Sequence, residues 1–172
     1  MLLDQYVTQN KTQFINKVLS ISEKLGIMPE WLMAVMYKES GLNHRAYNPK
    51  GGATGLIQFM PATAHGLGTT TVNLSNMTNV EQLDYVYQYF KPYAKKIKNY
   101  PDLYVITFFP VAFGKPDNFV FETKKLRADI IAKYNPGIDL NKDLKITKSE
   151  FIEYSYRNFD KTVLNELKKK LQ

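Results

Sequence analysis

Glu39 is the residue in this chain best placed by its neighbours to move a proton. It stands in the run Pro29-Glu30-Trp31-Leu32-Met33-Ala34-Val35-Met36-Tyr37-Lys38-Glu39-Ser40-Gly41. Pro29 suits the first turn of a helix, where its missing N–H would have been unpaired anyway. From Trp31 to Tyr37 almost every side chain is apolar, so this helix is expected to be buried around most of its circumference. Gly41 is a natural stop, because it takes the left-handed conformation that ends many helices. Glu39 therefore falls in the last turn of a buried helix. Burial disfavours its charge, and the negative end of the helix dipole disfavours it again. Both push its pKa upward, to where a carboxyl keeps its proton near neutral pH and works as a general acid. The plainer alternative is an exposed last-turn carboxylate, or one paired with Lys38 or Arg45.

The surrounding residues add a pattern. Glu39-Ser40-Gly41-Leu42-Asn43, then Ala46-Tyr47-Asn48, then Gly52-Ala53-Thr54-Gly55-Leu56-Ile57-Gln58-Phe59-Met60-Pro61-Ala62-Thr63-Ala64 follow in order. They resemble the signature of soluble lytic transglycosylases, which share the fold of goose-type lysozyme and cut the glycan strands of bacterial peptidoglycan. Fixed elements recurring in order and spacing are far more specific than one short motif. The resemblance implies a mainly α, lysozyme-like helical domain. It implies Glu39 as the sole catalytic acid/base, with Ser40, Asn48, Gly55, Gln58 and Met60 beside the glycan. Gly51, Gly52 and Gly55 would let backbone approach a sugar, and the Gln58 amide would suit an N-acetyl group. A plain turn for the glycines and core filling for Met60 are the alternatives.

Most glycosidases use two carboxylates. The transglycosylases resemble substrate-assisted exceptions, in which one Glu protonates the leaving oxygen and then takes a proton from the sugar's C6 hydroxyl, closing a 1,6-anhydro ring. The bond expected to be cut is the β-1,4 link between N-acetylmuramic acid and N-acetylglucosamine. A hydrolytic goose-type muramidase with a second acid, such as Asp102, Asp117 or Glu122, is the alternative. A non-catalytic virion or wall-binding protein of the same fold is the other. In the family an Ala-Tyr-Asn-Ala-Gly element supplies a tyrosine to the catalytic Glu. Here the comparable stretch is Phe108-Phe109-Pro110-Val111-Ala112, and Tyr104 is the candidate replacement.

Size and charge fit that reading. The chain has 172 residues, 44% of them hydrophobic, enough for one domain with a core or a domain with a small appendage. It holds no cysteine, so no disulfide frame is expected, and no apolar run long enough to span a bilayer. A net charge of +7 favours polyanions, the acidic bacterial wall among them. No nucleic-acid motif accompanies it, so nucleic acid is not an expected partner. The opening Met1-Leu2-Leu3-Asp4-Gln5-Tyr6 lacks the basic start and apolar core of a secretory signal. That suggests a bacteriophage lysin, released by a holin or carried in the virion, acting on the wall as a monomer or particle component.

The remaining elements must position Glu39. Residues 4–25 place Phe14, Val18, Ile21 and Leu25 on one helical face, ended by Gly26. Residues 42–54 form a loop, in which a lone exposed His44 is assigned no catalysis, nor is His65. A short helix follows Pro61, then a polar stretch from 69 to 76. Thr78 and Glu81 make a capping box, and Val80, Leu83, Tyr87 and Phe90 share one face up to Pro92. Residues 101–113 read as a further buried helical segment, and residues 157–172 as a basic helix with a narrow apolar face.

Near the C-terminus, Asp139-Leu140-Asn141-Lys142-Asp143-Leu144-Lys145-Ile146-Thr147-Lys148-Ser149-Glu150 resembles an EF-hand loop. Asp139, Asn141 and Asp143, the Lys145 carbonyl and Glu150 fall at ligand positions for a structural Ca²⁺. Leu144 stands where that loop wants glycine. A metal-free turn before a helix is the alternative, and catalysis needs no cofactor. The expected division is a lysozyme-like domain over 1–134, with the loop and last helix over 135–172 packed on it.

Overall fold

The computed structural model of the chain describes residues 1–171. Those residues form nine α-helices and one two-stranded sheet, the mainly helical class expected. The chain divides into two compact units, residues 1–98 with the extreme C-terminus, and residues 99–169. None of the described helices is long and apolar enough to cross a membrane.

In the first unit, α1 (Lys11–Leu25) buries Phe14, Val18, Ile21 and Leu25, as the spacing predicts. It starts at Lys11 and not near residue 4, because a short 3-10 turn (Asp4–Tyr6) and a left-handed Asn10 precede it. Asn10 Nδ2 donates to Asn79 Oδ1 at 3.1 Å, and Asn79 Nδ2 donates to the Gln9 carbonyl at 2.6 Å. This polar knot fixes the start of α1 against Asn79, far along the chain. The α2 helix (Pro29–Ser40) buries every residue from Trp31 to Met36, more than one helical face can account for.

Two short helices follow, α3 (Pro61–Gly66) and α4 (Thr71–Asn76). The second forms where only a polar stretch was expected. Its N-cap Thr70 accepts from the Asn73 N–H at 3.0 Å, and buried Leu74 anchors it. The α5 helix (Asn79–Phe90) opens on the expected Thr78/Glu81 capping box. Its buried face is Asn79, Gln82, Leu83, Val86 and Phe90. Val80 and Tyr87 are only half-buried, because two polar side chains with internal partners take their share of the inward face. The chain leaves α5 before Pro92, in a 3-10 turn (Lys91–Tyr93).

The second unit is built on aromatic rings. It holds α6 (Tyr100–Phe108), α7 (Ala128–Tyr134), α8 (Lys148–Tyr156) and α9 (Lys161–Leu167). Pro110 breaks the expected 101–113 helix after Phe108 and starts a 3-10 turn. Phe109 stacks on Phe121 with centroids 4.8 Å apart, and Phe151 of α8 lies 5.1 Å from both Phe108 and Tyr104 of α6. Backbone bonds from Phe121 N–H to Ile146 (2.8 Å) and from Lys148 N–H to Phe119 (2.9 Å) tie the chain before α7 to the chain before α8. Within this unit α8 shares its core with α6 through those rings.

Candidate active site

Glu39 lies half-buried in the last turn of α2. The helix stops just beyond it, with Gly41 at φ 64° and Leu42 at φ 62°. Gly41 N–H donates to Tyr37 O at 2.8 Å, and Leu42 N–H reaches Met36 O at 3.3 Å. A left-handed leucine costs about 1–2 kcal/mol, and burying the Leu42 side chain offsets this. The break is therefore anchored, and Glu39 sits on a helix end that cannot fray without exposing Leu42.

Past the break, Tyr47–Asn48 and Ala53–Thr54 pair as an antiparallel hairpin. The Asn48 carbonyl accepts from Gly51 and Gly52, and its Oδ1 accepts from the Lys50 N–H at 3.0 Å. A tighter turn follows. Thr54 and Phe59 exchange both backbone hydrogen bonds, at 3.0 and 2.9 Å, around residues 55–58. Within it Gly55 has φ 83° and Gln58 φ 51°. Ser40 Oγ lies 2.9 Å from the carbonyl oxygens of both Met36 and Leu56. The neighbour of Glu39 thus fastens the helix end to this turn.

The residues expected beside a glycan fall largely in this segment, with much of their polarity used internally. Gln58 Nε2 donates to Ala46 O (3.2 Å) and Gly55 O (3.1 Å). Gly55 is buried, facing Gln82 of α5. Met60 is exposed and lies over Gly51, where an added Cβ would be 3.4 Å from its terminal methyl. Tyr104 belongs to the second unit, buried between Tyr100 and Phe151. His44, expected to be exposed, is buried. Burial, helped by the charge of Arg45, lowers its pKa, so it is neutral at neutral pH.

Two residues of this site escaped the sequence reading. Gln82 Oε1 accepts from the Leu56 N–H (3.0 Å), while its Nε2 donates to the carbonyls of His44 (2.6 Å) and Leu74 (2.7 Å). One buried amide so braces the turn from below. Its signal was a glutamine standing at core spacing with Asn79, Leu83 and Val86. Tyr89, also on α5, has its pKa raised above the ordinary 10.0, first by burial and then by the charges of Tyr93 and Glu39. The phenol stays protonated beside the carboxyl's field. Nothing local in the sequence distinguishes it from Tyr85 or Tyr87.

The 139–150 loop is held by hydrogen bonds from its own backbone to its own side chains. Leu144 takes φ 63° in the glycine position, and both Asp139 oxygens accept N–H groups, from Asp143 (3.2 Å) and Leu144 (3.0 Å). Asn141 Oδ1 also accepts from Asp143, and Asp143 Oδ1 from the Lys145 N–H. Glu150 is turned onto the N–H groups of Leu140 and Thr147 and the Thr147 hydroxyl. Burial raises its pKa, but these donors outweigh burial and leave it lowered. Among the described residues no three His, Cys, Asp or Glu side chains form a group able to hold a metal ion.

A buried helix ending in a carboxylate, fastened to a glycine-containing turn, is the segment at the centre of a wider likeness. No curated protein matches the chain. A family model described as the transglycosylase SLT domain matches it over residues 17–149. That span takes in both Glu39 and the turn and covers well over half of the sequence, so the chain belongs to the transglycosylase SLT domain family, whose members are lytic transglycosylases acting on peptidoglycan.

Proposed function

We propose that this protein cleaves the β-1,4 bond between N-acetylmuramic acid and N-acetylglucosamine with Glu39 as its single general acid/base. The observation that carries the reading is Glu39 itself: a half-buried carboxyl at an anchored helix end, fastened through Ser40 to the turn that follows. In its acid form Glu39 gives a proton to the bridging oxygen as the C1–O bond breaks and positive charge grows at the anomeric carbon. The carboxylate left behind takes the proton of the C6 hydroxyl, whose oxygen closes on C1. The products are a 1,6-anhydro-muramic end and a free 4-hydroxyl, and Glu39 is an acid again. The charge of +7 favours approach to an acidic wall.

Digestion of purified peptidoglycan tests this. Wild type should yield muropeptides with anhydro ends by mass, and Glu39→Gln should bind the wall but release none. Reducing ends in place of anhydro ends would make the protein a muramidase. Equal release by wild type and Glu39→Gln would refute the assignment.

For the 139–150 loop we propose a weak, structural Ca²⁺ site, supported by the left-handed turn that Leu144 accomplishes without glycine. Asp139, Asn141, Asp143, the Lys145 carbonyl and Glu150 would hold the ion. Glu150 must first exchange its backbone donors for the cation, and that exchange makes the site weak.

A further inference from the structure

The C-terminal ends of α1 and α5 open onto one segment, residues 91–98, for which the cleavage chemistry has no use. The two helices run side by side in the same direction. Asn10 meets Asn79 at their starts, Lys17 pairs with Asp84 at 2.8 Å, and Lys24 lies 5.8 Å over the Tyr87 ring. Beyond them the chain reads Lys91-Pro92-Tyr93-Ala94-Lys95-Lys96-Ile97-Lys98, four lysines in eight residues, with no acid between Asp84 and Asp102. Lys24, Lys91, Lys95, Lys96 and Lys98 are all exposed. Asp84 is already paired with Lys17, and Glu23, beside Lys24 in the chain, offsets one charge at most.

Lysines near helix C-termini are ordinarily explained by the helix dipole, and Lys24 and Lys91 need nothing more. Lys95 and Lys96 lie past both helix ends. Lys95 holds φ 62°, a conformation that glycine takes without strain. Its N–H donates at 2.7 Å to the carbonyl of Leu25, the last residue of α1. Its Cγ lies 3.4 Å from where a Cβ on Gly26 would stand, so the stem packs on the helix end while the ammonium stays in water. Lys96 N–H donates to the Tyr93 carbonyl at 3.0 Å, and Ile97 is fully buried. The Lys96 ammonium reaches the Pro92 carbonyl at 3.4 Å, a neutral acceptor that leaves its charge uncompensated. These charges therefore stand on a fixed backbone.

The other side chains of the segment narrow the partner. Tyr93 is half-buried and Ile97 is buried, so the patch offers neither a stacking platform for nucleotide bases nor a wedge for a bilayer. Its cations are lysines, point charges without the fork by which arginine grips a single phosphate or carboxylate. They suit a flexible chain of repeating anions, met by Coulomb attraction along its length. We propose that Lys91, Lys95 and Lys96, with Lys24, form a docking surface for the polyanionic strands of the bacterial wall, whose charges are stem-peptide carboxylates or polymer phosphates. This rests on the reading that the protein acts on the wall, and it is independent of which residue is the acid.

Sedimentation with purified sacculi tests it, in a Glu39→Gln background so that the wall stays intact. Binding should weaken at least about tenfold between about 50 and 200 mM salt, as attraction to a polyanion does. Adding Lys91→Gln, Lys95→Gln and Lys96→Gln together should cost at least about tenfold in affinity at the lower salt and remove most of the salt dependence. With Glu39 restored, the same triple variant should turn over short soluble glycan fragments as wild type does. Lys124→Gln, Lys125→Gln and Lys142→Gln together take the same charge from exposed sites in the second unit and should leave binding near wild type. Should the first triple variant fold poorly, Lys91→Glu with Lys96→Glu, which leaves Lys95 in place, decides by the same comparison. Sacculi stripped of phosphodiester polymers by acid separate the sources: affinity lost on stripping assigns the phosphates, and affinity kept assigns the stem carboxylates. Equal losses in the two triple variants would reduce the effect to net charge and overturn the patch. Tighter binding to phosphatidylglycerol vesicles than to sacculi, lost in the first triple variant, would overturn the wall as its partner. The assignment of Glu39 fails by a different result, turnover by Glu39→Gln.

Discussion

A Cβ built on Gly55 would lie 2.5 Å from Oε1 of Gln82, closer than real atoms approach. Gly55 also has φ 83°, so a side chain there is strained twice. The glycine clears space for the amide that braces the turn beside Glu39. Gly55→Ala is therefore expected to destabilise the fold by roughly 2–4 kcal/mol, combining left-handed strain with overpacking, and to impair turnover through the displaced turn. Urea unfolding measures the first. An unchanged midpoint in Gly55→Ala would show that Gln82 can move aside at no cost.

Ser40 was expected to touch the sugar, yet its hydroxyl spans the Met36 and Leu56 carbonyls. The two roles separate in Ser40→Ala. A fastening role predicts a loss of about 0.5–1.5 kcal/mol in stability, read as a fall of about 2–4 °C per kcal/mol in the thermal midpoint. A sugar contact predicts a raised KM with the midpoint unchanged. The expected result is the fall in midpoint.

Much of this arrangement was legible in the sequence, where one local rule sufficed. Pro29, Gly41 and the apolar run between them bounded α2, and Thr78 with Glu81 marked the start of α5. Glu39 and the 52–64 segment were legible through a family pattern. The internal uses of Ser40, Gly55 and Gln58 were not, because each depends on a partner many residues away or on a left-handed turn. Gln82 is the sharpest case. A count of apolar residues passes over a glutamine, although its bonds to Leu56, His44 and Leu74 make it part of the core. Likewise α8 was set apart by its motif, while Phe151 and its ring partners join it to α6.

His44 gives the fold a pH dependence of definite sign. Its folded-state pKa lies below the ordinary 6.5, chiefly through burial. Below about 6.5 the unfolded chain takes up a proton more readily than the folded one. His44 thus contributes stability that is full above that value and is lost as pH falls towards the folded-state pKa. Thermal midpoints at about pH 7.5 and pH 5.5 should differ in wild type. In His44→Gln the difference should shrink. A difference of the same size in the variant would assign the acid sensitivity to carboxylates instead.

The 139–150 loop joins two demands on one carboxylate. Glu150 caps α8 through the Thr147 N–H and hydroxyl and also gathers the N–H of Leu140, whereas a calcium ion would ask for both of its oxygens. Without calcium, Glu150→Gln should cost about 0.5–2 kcal/mol, the range for a lost helix cap, because the amide keeps only part of the acceptor set. With calcium, wild type should gain thermal stability only in the millimolar range, the affinity class of weak sites. That gain should vanish in Asp139→Ala, which removes the first ligand, and persist in Leu144→Gly, which relieves the left-handed strain at φ 63° with and without the ion alike. Calorimetric titration of the three proteins with CaCl₂ checks the order. Heat of binding equal in wild type and Asp139→Ala would place any calcium elsewhere, leaving the loop as a turn held by its own backbone bonds.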